Sequence, residues 1–224
     1  MLVLSMTTSD KPSSTTSSRS GESRDQLLRA AKKVFAAQGM DGATVKEIAE
    51  AAGMNISLVS YHFGGKEGLF RACLEEFGRD RLNAAERILR TPDSQEEFKI
   101  RIRMFLEEIM EMHFREPDVA SIIHRECTGT NPAIHDIFKS VFVKIFETLV
   151  TFVQEAQTRG ILRPDLDPVI GASIAFSGTI HMLRTDAMSR EHFNRTLSDR
   201  VFREHYLNQV IQTLTEGSFP RGSV

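Results

Sequence analysis

Between Asn55 and Lys66 the chain collects an amide, three hydroxyls, an imidazole and an ammonium, on Asn55, Ser57, Ser60, Tyr61, His62 and Lys66. These groups donate and accept hydrogen bonds without forming a nucleophile–base arrangement, so they suit recognition of polar edges and anionic oxygens. Thr44 and Lys46 precede them, and Arg24 lies further upstream. A second set, His113, Glu126, Cys127 and His181, contains residue types used in acid–base and nucleophilic catalysis. No nucleophile elbow, P-loop, zinc-helix motif or glycine-rich dinucleotide turn accompanies it, so no catalytic residue is assigned. His124 and Cys127 are three apart on one expected helix face, as in some metal sites. Without a second pair at ligand spacing no metal is expected, and nothing calls for a cofactor.

The elements that must position these groups are helical. Residues 1–21 are read as a disordered tail, because Thr7 to Gly21 is mostly Ser and Thr and has little apolar surface to bury. From Ser23 onward about nine helices and no strand are expected, an all-α fold. Capping boxes mark three starts: Ser23-Arg24-Asp25-Gln26, Thr44-Val45-Lys46-Glu47 and Ser94-Gln95-Glu96-Glu97. Asn55 caps a short helix to Phe63, on which Ile56, Val59 and Phe63 are spaced to pack inward. A further helix starts near Lys66 and buries Leu69, Cys73, Phe77 and Ile88 before Pro92. Pro117 opens a helix ending near Cys127, Asn131-Pro132 and Asp167-Pro168 read as cap plus first residue, and a last amphipathic helix carries Leu197, Val201, Leu207, Ile211 and Leu214.

Two short helices joined through Gly53-Met54-Asn55, flanked by longer ones, describe a helix-turn-helix unit. In such a unit the second helix lies in the major groove and offers its N-terminal residues to base edges. Thr44 and Lys66, both at helix starts, and Arg24 then become phosphate anchors. Helix–glycine–helix pairs also occur in all-α proteins that never meet DNA, so an enzyme or a protein interaction module stays open on this pattern alone.

The run Thr44-Val45-Lys46-Glu47-Ile48-Ala49-Glu50-Ala51-Ala52-Gly53-Met54, followed by Ser60-Tyr61-His62-Phe63-Gly64-Gly65-Lys66-Glu67-Gly68-Leu69-Phe70, resembles the DNA-binding domain of the TetR family of bacterial transcriptional regulators. The likeness covers about 50 residues, from Arg24 to Cys73. It implies a DNA-binding domain over residues 22–68 and a ligand-binding and dimerisation domain over 69–224. DNA contacts are expected from Arg24, Thr44, Lys46, Asn55, Ser57, Leu58, Ser60, Tyr61, His62 and Lys66. Ser57 stands where many members carry Gly, and Leu58-Val59 replaces the usual Thr-Leu, so base preference does not carry over. Gly160 to Pro168 resembles the connector before the two C-terminal helices of the family, and Arg125-Glu126 with Asn131-Pro132-Ala133 resembles part of the CecR-like regulatory domain.

The resemblance implies a repressor that binds a palindromic operator as a homodimer and is released by a small apolar effector, with the fourth helix as the lever between the two halves. The segment Val169 to Met188, apolar nearly all round, supports an interface, because such a helix must be covered on every side. Its small residues Gly171, Ala172, Ser173, Ala175, Ser177 and Gly178 would let a partner helix approach closely; a central helix of a monomeric bundle is the alternative. Pocket candidates are Met104, Phe105, Phe142, Phe176 and Met182, with His113, Arg125 and His181 as polar anchors.

A chain of 224 residues with 28 Lys plus Arg and 30 Asp plus Glu has no global charge that points to nucleic acid. Divided along its length it does differ, since Arg19 to Arg71 holds eight basic and six acidic residues whereas Ala72 to Val224 holds 19 and 23. No apolar run reaches the roughly 18 residues of a membrane span, no signal peptide opens the chain, and two distant cysteines fit a reducing compartment. A cytoplasmic protein without a membrane partner is expected.

Overall fold

The computed structural model describes residues 15–126 and 131–217, and among them it contains helices and no strand. Two compact units divide between Cys73 and Leu74. The first holds α1 (Thr15–Gly42), α2 (Val45–Ala51), α3 (Ser57–Phe63) and the start of α4 (Lys66–Ile88). The second holds the rest of α4, α5 (Gln95–Arg115), α6 (Pro117–Glu126), the composite helix α7 over 132–158, α8 (Pro168–Arg184), α9 (Asp186–Phe193) and α10 (Arg200–Glu216). The unit boundary therefore falls inside a continuous helix, five residues beyond the 68/69 division read from the motif, which a recognition pattern ending at its last contact residue does not mark.

α1 begins at Thr15, so residues 15–21, expected as tail, are helical, and Ser23 lies within the helix instead of capping it. Once a helix is nucleated each added residue gains one hydrogen bond, so a polar stretch can extend it beyond a local cap signal. The remaining residues of the expected tail lie outside those described. At Gly39 the backbone leaves helical geometry (φ 74°, ψ 177°). Leu27, Ala31, Phe35, Ile48, Val59, Leu69 and Phe70 are fully buried in the first unit, and the rings of Phe35 and Phe70 meet edge to face at 4.8 Å. Ile56, expected to pack inward, is 50% exposed because it forms the turn entering α3 and lies outside the buried stripe.

In the second unit α5, α7, α8 and α10 pack around one core, with α6 against α5 and α9 against α8. Phe98 of α5 and Phe152 of α7 stack at 4.9 Å with an interplanar angle of 6° at its centre. Ser94 caps α5 by accepting from Glu97 N–H, whereas the Glu97 carboxylate accepts from Asp93 N–H, so the expected box closes one residue early. Asp167 caps α8 by accepting from Val169 and Ile170 N–H. Asn131 opens α7 as a 3-10 turn (Pro132–Ile134), and a π turn (Phe138–Val143) interrupts the apolar stripe Ile134, Phe138, Val141, Ile145, Leu149, Phe152 and Ala156, whose spacing in the sequence is that of one α-helix.

The helix expected from Val169 to Met188 breaks at Thr185 into α8 and α9. Asp186 explains the break: its carboxylate accepts from Thr196 Oγ1 (2.8 Å) and Leu197 N–H (2.7 Å), tying the start of α9 to the loop before α10. Nor is α8 covered all round. Ile170, Ile174, Ser177 and His181, spaced four, three and four, form an exposed stripe. Gly171, Ala172 and Ala175 instead face the unit's own core, with Leu166 at 3.2 Å from where a Gly171 Cβ would stand. Val201, expected in the apolar face of α10, is 76% exposed. No helix among the described residues is long and apolar enough to cross a membrane.

Candidate functional site

The turn between α2 and α3 is built by backbone chemistry. Thr44 Oγ1 accepts from Glu47 N–H (3.2 Å), and Glu47 Oε2 accepts from Thr44 N–H (3.0 Å) and from Thr44 Oγ1 (2.8 Å). These bonds lower the Glu47 pKa below its ordinary value, the Thr44 hydroxyl contributing most. At the other end, Gly53 adopts φ 66° while its N–H donates to Glu50 O and that of Met54 to Ala49 O. This paired closure requires a left-handed residue, which glycine adopts without steric cost.

Asn55 Oδ1 accepts from both the N–H (2.9 Å) and the hydroxyl (2.8 Å) of Ser57, fixing the entry to α3. Val59 is buried while Ser57, Ser60 and Tyr61 are exposed, so α3 anchors itself through one face and offers the other. Tyr61 is 76% exposed, and its ring meets that of His62 edge to face at 4.9 Å. Leu58 and His62 are half-buried at the margin of this face. α3 closes at Gly64 (φ 73°), and Gly68 then passes so near the end of α3 that a Cβ there would lie 1.8 Å from Phe63 O.

Two anchors expected separately come together. Lys66 Nζ donates to Ala43 O at 3.1 Å, placing the ammonium beside the start of α2 next to Thr44. Arg24 lies over the Phe63 ring, 5.4 Å from its centroid, so its guanidinium stands by the end of α3. Lys46 is exposed and faces Glu50 at 3.8 Å. One edge of the unit thus carries hydroxyls, an imidazole and cations on a rigid support, a surface able to hydrogen-bond base edges and phosphate oxygens.

The second unit contains a cavity of about 200 Å³ walled by Phe77, Ala85, Phe105, Ile109, Phe138, Phe142, Ile145 and Phe176. Phe105, Phe142 and Phe176 were expected there. Phe138 and Phe142 belong to the π turn, and their rings are 4.8 Å apart. That turn approaches α4 at Gly78, where a Cβ would stand 2.6 Å from Val141 Cγ1. Arg81 and Glu108 form an ion pair of 2.8 Å at the wall, and Arg81 Nε is buried without an acceptor. Neither residue is expected from the sequence, although Phe77-Arg81-Ala85-Ile88 carries a charge within an apolar helical stripe, a legible signal.

His113, also expected, lines the cavity, together with His124 at a ring separation of 5.5 Å and with Arg184. These three also line an adjoining polar recess with Ser121 and Arg125, so Arg125 stands outside the cavity itself. Burial, then repulsion from His113 and Arg184, holds His124 at about 4, and burial lowers His113 against the opposing pull of Asp186. Three expected pocket residues are elsewhere. Met104 is 48% exposed on α5, His181 sits in the exposed stripe of α8, and Met182 packs against the core without reaching the cavity. Helix rotation decides these placements, and an isolated Met or His on an apolar helix does not reveal it. Cys127 lies outside the described residues, among which no group of three or more His, Cys, Asp or Glu could hold a metal.

Residues 27–73 match the family model described as bacterial regulatory proteins, tetR family. The chain is 28% identical over 145 residues to the HTH-type transcriptional repressor NicS of Pseudomonas putida, covering 64% of this chain and 67% of that protein. It is 38% identical over 73 residues to the HTH-type transcriptional repressor AcnR of Corynebacterium efficiens, covering 33% of this chain and 35% of that one. The chain therefore spans between about a third and two thirds of the length of these relatives. In fold it is similar to the transcriptional regulator FadR from Bacillus subtilis, solved in complex with stearoyl-CoA, at a TM-score of 0.66 and 17% identity over 87% of this chain and 99% of that one. The matched segment holds α2, the glycine turn, α3 and the Lys66 anchor, the relatives are named as transcriptional regulators, and over this segment the chain is similar to the TetR family.

Proposed function

We propose that this regulator is a repressor that binds a palindromic operator as a homodimer in the cytoplasm and is released when a small molecule enters the cavity of the second unit. The observation that carries the DNA reading is the outward row of α3, where Ser57, Ser60 and Tyr61 stand exposed over a buried Val59. Arg24, Thr44, Lys46 and Lys66 then engage phosphates, while Asn55, Ser57, Leu58, Ser60, Tyr61 and His62 meet the major groove. The exposed stripe of α8, with Ile170 and Ile174, supports the dimer, since apolar surface of this kind is stabilised by a partner. A twofold dimer sets half-sites about 34–36 Å apart or a multiple of it.

Release follows by population shift. α4 contributes Phe77 and Arg81 to the cavity and carries Lys66 at its start, so one helix takes part in both sites. An effector that favours one arrangement of α4 by about 2.7 kcal/mol changes DNA affinity about 100-fold. The test is a gel shift on the DNA upstream of the protein's own gene across a salt series. Sequence-specific, salt-dependent retardation is expected; retardation indifferent to sequence at every salt concentration overturns the reading.

A further inference from the structure

We infer that the effector is a carboxylic acid with an apolar body of about six to ten carbons, seated in the phenylalanine-walled cavity with its carboxylate against Arg184, His113 and His124 at the polar end. The inference rests on the reading of this cavity as the effector site and adds the ligand's class to it.

Size comes first. A dry apolar cavity of about 150 Å³ accommodates benzene, so the roughly 200 Å³ here suits a body somewhat larger than one ring. Away from Arg81, Glu108, His113, His124 and Arg184 the walls cannot reward a polar body, since the other lining residues are all apolar. Charge selects the head. Arg81 and Glu108 neutralise each other at 2.8 Å and ask for no ligand charge. At the end shared with the polar recess the basic groups are Arg184 and Arg125, and no acid lines that recess. Asp186, the carboxylate whose field reaches His113, already accepts from Thr196 and Leu197. The Arg184 guanidinium lines both the cavity and the recess and has neither an ion pair nor a side-chain hydrogen bond among the described residues. Within the cavity itself Arg184 is the one guanidinium beside the two imidazoles, since Arg125 lines only the recess; it matches one negative charge, and a planar carboxylate fits the guanidinium fork. A dianionic phosphate ester would leave charge unmatched.

The histidines give the inference a second handle. Around His113 and His124 stand Arg184, Arg125, Asp186 and the Arg81–Glu108 pair. Without a ligand, burial disfavours the imidazolium of both rings; His113 and Arg184 disfavour that of His124 further, while Asp186 opposes the effect at His113. A carboxylate brought against them favours the imidazolium, so binding takes up a proton and tightens as the pH falls.

Calorimetric titration of the full-length protein, without DNA, tests this with hexanoate, octanoate, decanoate and 3-phenylpropanoate, using octanol and octylamine as body-matched controls. At least one acid is expected to bind about ten-fold or more tightly than octanol, with proton uptake seen in buffers of different ionisation enthalpy. Arg184→Gln should weaken that acid by about ten- to a hundred-fold, and Arg184→Lys by less. Should Arg184→Gln fail to fold, the wild-type affinities between pH 8 and pH 6 decide, because tightening is required. No acid binding at about 1 mM, octanol matching the acids, or affinity unchanged by both pH and Arg184→Gln overturns the inference. Release of operator DNA is scored separately. Acid binding without release sinks the repressor mechanism alone, whereas release by an uncharged or cationic compound with no acid bound sinks the ligand class alone.

Discussion

Lys66 Nζ donates to the carbonyl oxygen of Ala43 at 3.1 Å, so a cation from the first turn of α4 is held beside the first turn of α2. Two donor protons of the ammonium remain for a phosphate that lies there. Removing it by Lys66→Ala should weaken operator and nonspecific DNA alike. The slope of log affinity against log salt should shrink by about one unit per half-site, read from binding isotherms at several salt concentrations.

Tyr61 and Val59 stand two residues apart on α3 and should part company when shortened. Tyr61 is 76% exposed and Val59 is fully buried. Tyr61→Ala should change unfolding free energy by no more than about 0.5 kcal/mol yet lower operator affinity, with Tyr61→Phe isolating the hydroxyl's share. Val59→Ala should instead cost about 2 kcal/mol of stability. Denaturant melts alongside gel shifts separate the two effects.

Gly68 and Gly78 both lie on α4, at close approaches of different kinds. A Cβ at Gly68 meets a backbone oxygen, Phe63 O, at 1.8 Å, whereas one at Gly78 meets the end of a side chain, Val141 Cγ1, at 2.6 Å. A side chain can rotate aside and a helix terminus cannot. Gly68→Ala should therefore cost about 3 kcal/mol or more and abolish DNA binding, and Gly78→Ala should cost less, about 1–2 kcal/mol. Equal melting temperatures for the two variants would contradict this.

Local signals in the sequence are strong where one turn of chain suffices to define geometry. Thr44 with Glu47, Asp167 before Pro168, and Gly53 between two short helices each declare a cap or turn that the backbone then forms. Such signals fail where another part of the chain decides. Ser23 carries a cap pattern but α1 runs through it, and Thr185 ends α8 because Asp186 is held by Thr196 and Leu197, ten and eleven residues away. The same distinction governs the sites. Tyr61 and Lys66 belong to a contiguous motif and are legible, whereas Glu108, His124 and Arg184 join Arg81, a charge visible within its apolar stripe, only through packing of separate helices. The π turn at Phe138–Val143 keeps an apolar spacing compatible with an ordinary helix, so nothing in that spacing announces it.

The stripe Ile170, Ile174, Ser177 and His181 gives the dimer a specific place to fail. Ile170 is 58% exposed and Ile174 47%, and Asp167 already satisfies the N–H groups at the start of that helix. A carboxylate introduced at Ile174 would stay solvated in a monomer but would be buried opposite its own copy in a twofold interface. Ile174→Asp should preserve helical content and shift sedimentation from dimer to monomer, with operator affinity falling in parallel. A variant that stays dimeric would place the interface on another face.

His124 sets the acid limb of stability. Its folded pKa is lowered to about 4, chiefly by burial, whereas an unfolded histidine titrates near about 6.5. Below that unfolded value the unfolded chain takes a proton that the folded site refuses, so the stabilisation is fully present above about pH 6.5 and is lost as the pH falls toward about 4. Because the ring is only partly buried, the loss between pH 7 and pH 5 should be about 1 kcal/mol, less than the full shift implies. Urea melts of the wild type at pH 7 and pH 5 should show a fall of that size beyond the general effect of acid. His124→Phe, which keeps a ring and removes the proton site, should flatten the difference; a wild-type and variant pair with the same pH dependence would assign the acid limb to other groups.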